Sequence, residues 1–173
     1  MIQLTFQPAF DPFHAVFRSL RLHHIIEQYG PLHRDQVRIV DFYLLFPFRI
    51  AGVRLLRQHG KYRKLAQDYE QKKPYGNQPE DSNVFARMEL MQLTALDTLA
   101  KHDLISSERW EQGEVAGTLT RIPLPLRPRI AEINAEEVDL LEFLEVLVSE
   151  YEFLGPNGLK SRTHLLESRY DAV

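Results

Sequence analysis

The chain has 173 residues, 44% hydrophobic and 26% charged, which is enough apolar material for the core of one domain or two small ones. It has no cysteine, which excludes a disulfide framework or a thiolate metal site and fits a reducing cytoplasm. A formal charge of −3 gives no global attraction to nucleic acid or anionic membrane, so any such surface has to be local.

The opening stretch, MIQLTFQPAFDPF, has no basic region followed by an apolar run, so no secretory signal is expected. Ile2, Leu4 and Phe6 alternate with polar residues in the period of a half-buried strand, which Pro8 ends. Asp11-Pro12 predicts a helix start, and Gly30-Pro31 its end. Within it Phe13, Val16, Phe17 and Leu20 share one face and Leu22, Ile25, Ile26 and Tyr29 another, so this helix is either bent near Ser19 or buried on two sides.

VRIVDFYLLFPFRI, residues 37–50, is nearly all apolar between Phe42 and Phe48. A membrane span needs about 20 such residues without a break, and Arg38, Asp41, Pro47 and Arg49 interrupt this one, so it is read as core. A second helix is expected with Asp35 in its first turn. Ile39, Val40, Phe42, Tyr43, Leu44 and Phe46 surround it, leaving Arg34, Arg38 and Asp41 as a polar strip toward solvent. Pro47 should end this helix and begin a third, running through Ile50, Val53, Leu55 and Leu56 to about Gln58.

KKPYGNQPEDSN, about 72–83, reads as an exposed loop or a boundary between subdomains. Ser82 or Asn83 can cap the long helix that follows, with Phe85, Met88, Met91, Ala95, Leu96 and Leu99 at helical spacing and His102-Asp103 at its end. Leu104-Ile105, a turn at residues 111–114 and VAGTLTRIPL then suggest two short strands. Helix, strand, turn, strand is the order of a winged-helix module. Asn134 and Glu137 resemble a capping box before the stripe Leu140, Leu141, Leu144, Leu147, Val148, Tyr151 and Leu154, which Gly155-Pro156 stops. Leu159, Leu166 and Tyr170 mark a short last helix. The expected fold is therefore mainly α with a small β-hairpin. A winged-helix-like helical domain would span 1–125, followed over 126–173 by a long acidic amphipathic C-terminal helix and tail.

Catalytic chemistry finds little support. His23, His24 and Glu27 have metal-compatible helical spacing and His33 follows, but no second ligand cluster completes a known arrangement, so they read as packing or surface histidines. Ser106-Ser107 near His102 lack an elbow motif or an oxyanion-forming glycine cluster. The sequence carries no Walker-type loop and no dinucleotide fingerprint. No catalytic, cofactor or metal site is expected, nor an enzyme.

Charge is distributed unevenly. Arg49, Arg54, Arg57, Lys61, Arg63, Lys64, Lys72 and Lys73 crowd residues 49–73 against only Asp68 and Glu70, while residues 132–152 hold many carboxylates and no Lys or Arg. Both stretches read as solvated helix faces, or else the basic one follows DNA phosphates and the acidic helix docks a partner. On the second reading Arg49, Arg54, Arg57, Lys61, Arg63 and Lys64 contact DNA or a partner, and Leu140, Leu144, Leu147 and Tyr151 form a partner-binding stripe.

The run RLHHIIEQYGPLHRDQVRIVDFYLLFPFRI, followed by RKLAQDYEQKKPYG and VFARMELMQLTALDTLAKHDLIS, resembles the small middle component of bacterial three-component ABC ATPase systems, a group that includes the Lamassu defence operons. The resemblance covers about residues 10 to 125 and leaves the acidic helix outside it. It implies a non-catalytic subunit that binds an SMC/Rad50-like coiled-coil ATPase beside a separate effector, commonly a nuclease; the cytoplasmic location is the expectation from the lack of cysteine. It further implies defence against phage or plasmid DNA; DNA is expected to be reached through the complex, and the interrupted apolar run at residues 37–50 gives no reason to expect a membrane partner. The alternative is a free-standing winged-helix transcription regulator whose helix from Asn83 to Lys101 enters the major groove; Glu89 and Asp97 interrupt that helix, and Arg87 and Lys101 are its only basic residues.

Overall fold

A computed structural model describes residues 7–166. The expected strand at Ile2 to Phe6 and the terminal Tyr170 lie outside the described residues. The fold is mainly α with one small antiparallel sheet. Its helices are α1 (Pro12–Arg21), α2 (His23–Tyr29), α3 (Arg34–Leu45), α4 (Tyr62–Glu70), α5 (Asp81–Lys101), α6 (Ser107–Glu111), α7 (Arg127–Glu136), α8 (Val138–Ser149) and α9 (Leu159–Thr163); its strands are β1 (Leu32–His33) and β2 (Glu114–Val115).

Asp11 caps α1 as its position predicts, accepting from the His14 amide at 2.9 Å. The two apolar faces read from this region belong to two helices, because the chain breaks at Leu22 rather than bending at Ser19. Leu20, Leu22, Ile25 and Ile26 are buried, whereas Phe13 at the start of α1 is 83% exposed.

Helix α3 is the centre of the molecule. His33 caps it through a reciprocal box: its ring nitrogen accepts from the Asp35 amide at 3.1 Å, and Gln36 accepts from the His33 amide at 2.8 Å. Phe42 lies edge-on to Tyr43, Phe46 and Phe85. The expected polar strip is only one residue wide: Arg34 is exposed, but Arg38 and Asp41 are 1% and 5% exposed. Helices α1 and α5 pack over that side of α3 and bring partners for both charges.

The helix ends at Leu45, just ahead of Pro47, as the proline requires. No α-helix follows to Gln58. A 3-10 turn, Pro47–Gly52, gives way to extended chain because the Arg54 amide bonds the carbonyl of distant Arg162 at 3.1 Å instead of continuing a helix. Helix α4, not expected from the sequence, comes next. The loop before α5 is exposed as predicted, but Glu80 occupies the N-cap with no side-chain bond, which puts Ser82 and Asn83 inside the first turn.

The expected hairpin is reduced. Ile105 makes a single bridge to Gly117, α6 fills the connection, and the ladder partner of β2 is β1, with Leu32 opposite Val115 and His33 opposite Glu114. Gly117 lets α2 approach closely: a Cβ there would lie 2.9 Å from Glu27 Cγ and 3.1 Å from its Cα. The second strand stops short of IPL, where Pro123 and Pro125 have no amide to donate.

Asn134 and Glu137 do not form a capping box. Asn134 sits within α7, a helix with no counterpart among the expected elements; its carbonyl accepts from Arg21 Nε at 2.9 Å, and Glu137 takes the Arg21 Nη2. Helix α8 packs on α3, and its Leu140, Phe143, Leu144 and Leu147 join the same apolar cluster as Ile39 and Phe42.

Candidate partner interface

Two buried ionic groups fix the relation of α1, α3 and α5. Arg18 makes a bidentate pair with Asp41, Nε to Oδ1 at 2.6 Å and Nη2 to Oδ2 at 3.1 Å, and donates to the Pro8 carbonyl at 3.1 Å. Gln92 of α5 donates to Asp41 at 2.9 Å and to the Arg38 carbonyl at 3.1 Å, and accepts from Arg38 Nε at 3.0 Å. Arg38 also pairs with Asp35 at 2.7 Å and lies 4.4 Å from the centre of the Phe85 ring. Sequence reading misses this network because its members come from three helices with no local spacing rule between them.

The structure divides the six predicted basic contacts. Arg49 is 7% exposed, against the rings of Phe46 and Phe48, and it bonds the Pro79 carbonyl and Asp81. It is therefore a junction between the Pro47–Gly52 turn and the start of α5, not a surface contact. Arg54 is exposed but donates to Ser161 at 2.9 Å. Lys61 pairs with Glu142 at 2.9 Å, and Tyr62 donates to the same carboxylate at 3.1 Å. The Glu142 carboxylate holds Lys61 above the usual lysine range, and Lys61 in turn holds Glu142 below the usual carboxylate range. Arg57, Arg63 and Lys64 remain exposed.

The predicted leucine stripe is not open to a partner. Leu140, Leu144 and Leu147 are 0% exposed and Tyr151 is 4% exposed, all within the chain's own core. The Tyr151 hydroxyl accepts from the Leu56 amide at 3.0 Å and bonds His59 Nδ1 at 2.8 Å; His59 Nε2 meets Glu150 at 2.8 Å. Burial pushes the Tyr151 phenol up. Acidic α8 and the basic region before it are thus partly matched to each other.

The histidines have separate partners. His23 meets the Leu104 carbonyl at 2.9 Å, His24 meets Glu145 at 3.1 Å, and His33 caps α3. No group of three or more His, Cys, Asp or Glu among the described residues is placed to hold a metal ion. Ser106 caps α6 and Ser107 donates to the Ala100 carbonyl at 3.1 Å. No helix among the described residues is long and apolar enough to cross a membrane.

One surface stands apart from these internal pairings. Val16 and Leu20 of α1, Leu99 at the end of α5, and Leu104, Pro123 and Leu126 line an open apolar groove of about 300 Å³, with His102 and Arg121 at its polar edge. Beside it Leu119 is fully exposed and Leu124 is 71% exposed, and Phe13 continues the Val16 face one turn back along α1. Exposed apolar residues grouped in this way mark an interaction site. The sequence signal for it is LTRIPLPLRPRI, residues 119–130: apolar, proline-rich and free of acidic residues.

The family model described as ABC-three component (ABC-3C) system Middle Component 5 matches residues 4–171. The chain belongs to that family. No curated protein and no solved structure matches it. A middle component is an accessory subunit of a three-component ABC system, and the match runs past residue 125, so the acidic helix α8 lies within it. A protein that works beside other components needs a surface for at least one of them, and on Middle Component 5 the groove between α1, α5 and the 119–126 segment has the composition of such a surface.

Proposed function

We propose that this protein is a non-catalytic, cytoplasmic accessory subunit of an SMC/Rad50-like ATPase complex in bacterial anti-phage or anti-plasmid defence, related to the Lamassu systems. It binds the coiled-coil ATPase and helps position DNA or restrain the effector, a nuclease in this reading. The observation that carries the proposal is family membership over residues 4–171 in a sequence that has no nucleotide-binding loop of its own. The ATPase supplies the hydrolysis, and the middle component supplies surfaces. On this reading the exposed Arg54, Arg57, Arg63 and Lys64 track phosphates in the assembly. A winged-helix-like domain takes up residues 1–125 in this reading, and residues 126–173 supply the acidic helix and tail.

Co-expression of the three components of the operon tests this. The protein should co-elute with the ATPase in gel filtration, and elution on its own in the presence of both other components overturns the reading.

A winged-helix regulator remains the second reading because β1, β2 and the Ile105–Gly117 bridge lie close in the fold to the C-terminal end of the long α5. Against it, Phe85, Met88, Gln92, Leu96 and Leu99 of α5 are buried, so much of that helix is committed to the core rather than to a DNA groove.

A further inference from the structure

We propose that the groove between α1, the end of α5 and residues 119–126 seats an amphipathic helix of another component of the system, one with leucine-type anchors and acidic flanking residues. This inference rests on the subunit reading above and adds where the partner docks and what it looks like.

Three observations select that occupant. The first is apolar exposure: Leu119 at 101%, Phe13 at 83% and Leu124 at 71% flank a groove whose floor is Leu20, Leu99 and Leu104. Side chains this exposed gain from burial only when a partner covers them. The second is the interrupted backbone at the proline end of the 119–126 segment. Pro123 and Pro125 have no amide, the Thr120 amide bonds the Thr118 hydroxyl at 3.1 Å, the Ile122 carbonyl accepts from Arg127 Nε at 2.6 Å, and the Pro123 carbonyl accepts from the Leu126 amide at 3.0 Å. A strand added along residues 122–126 would find no continuous ladder, because that stretch lacks two amides, has two carbonyls already taken and turns at Leu124–Leu126, so recognition there falls to side chains, as when an amphipathic helix lies in a groove. The third is charge. His102 and Arg121 line the groove, no carboxylate does, and residues 115–131 contain Arg121, Arg127 and Arg129 without one Asp or Glu. Arg121 is exposed and has no ion-pair partner among the described residues. An acidic flank is favoured there and a basic one repelled.

A small-molecule ligand fits less well. The one buried side-chain nitrogen or oxygen without a hydrogen bond among the described residues is Arg49 Nε, which is not in this groove, so the groove presents no buried polar group to orient a compact ligand.

The test uses the co-expressed three-component complex. A benzoylphenylalanine crosslinker at Leu124 should attach to a single segment of another component. That segment, sequenced by mass spectrometry, should be helical, with apolar residues at i, i+3, i+4 and i+7 and acidic residues beside them. Leu119→Asp with Leu124→Asp should weaken assembly about tenfold or more, since each removes a leucine buried at the interface. The melting temperature of the free subunit should stay unchanged because both side chains are exposed. Arg121→Glu should weaken assembly less, by an amount that shrinks as salt is raised. Wild-type affinity in the double variant, a crosslink to a second copy of this chain, or a crosslink to a basic or extended segment overturns the proposal while the subunit reading stands. Failure of the wild-type components to associate overturns both.

Discussion

Asp41→Ala tests the interior directly. Asp41 is 5% exposed and binds Arg18 through both of its oxygens, at 2.6 and 3.1 Å, with Gln92 at 2.9 Å. Removing it leaves the Arg18 guanidinium buried between α1 and α3 with only the Pro8 carbonyl, at 3.1 Å from Nη1. An exposed pair at this place on α3 would be worth about 1 kcal/mol or less. A buried charge stripped of its partner costs about 3 to 5 kcal/mol, and for a chain of this size that lowers the melting temperature by roughly 6 to 20 °C. Urea unfolding at neutral pH should show this as a shifted midpoint at unchanged slope. The double variant Arg18→Met, Asp41→Leu removes both charges and should be more stable than Asp41→Ala alone. A loss below about 1 kcal/mol for Asp41→Ala, or a double variant no better than the single, would refute the buried pair.

Other outcomes follow from the same packing. Phe42→Ala should cost about 3 to 5 kcal/mol in urea unfolding, because the ring is fully buried among aromatic neighbours. Glu142→Gln should flatten the acid limb of the stability curve. Glu142 is held below its usual range by Lys61, so its contribution is present above the ordinary glutamate pKa and is lost as pH falls through the depressed folded-state value; equal acid sensitivity of wild type and variant would refute this. In the assembled complex, reversing Arg57, Arg63 and Lys64 to Glu should weaken DNA binding and flatten its salt dependence, as read from a salt titration, whereas an unchanged slope assigns DNA contact to another subunit.

The parts of the fold that were legible are those with strong local causes. Asp11-Pro12 starts a helix because a carboxylate cap and a pre-set φ act within one turn, and Pro47 stops one because its ring clashes with the turn before it. The long α5 shows in the spacing of Phe85, Met88, Ala95, Leu96 and Leu99. Distant pairing is what hides the rest. Arg54 leaves helical geometry for a bond to Arg162, β2 pairs with β1 across the whole stretch from α3 to α6, and Asn134 serves Arg21 instead of capping α8. Nor does helical periodicity say which side of a nearly all-apolar helix is wet. Arg38 and Asp41 look like a solvent strip until Arg18 and Gln92 arrive from α1 and α5.

The same distinction explains why the interface was harder to read than the fold. Runs of like charge draw attention in a sequence, yet a run has no direction until its neighbours in space are known. Here Lys61 meets Glu142, His59 meets Glu150 and Arg49 meets Asp81, so a share of both charged regions is matched inside the chain, while Arg57, Arg63 and Lys64 are among the basic residues that stay exposed. The apolar stripe of α8 is hidden in the same way, since a stripe shows that a helix buries one face but not whether its own chain or another covers it. Residues 119–126 give the opposite signal. Two prolines keep them out of the sheet, their leucines are too exposed to serve the core, and the lack of acidic residues leaves their arginine without a local partner. A segment whose leucines stay exposed and whose arginine has no ion-pair partner among the described residues makes physical sense when another chain covers the one and neutralises the other, which is why the groove beside it, rather than either charge run, is where a partner is expected to bind.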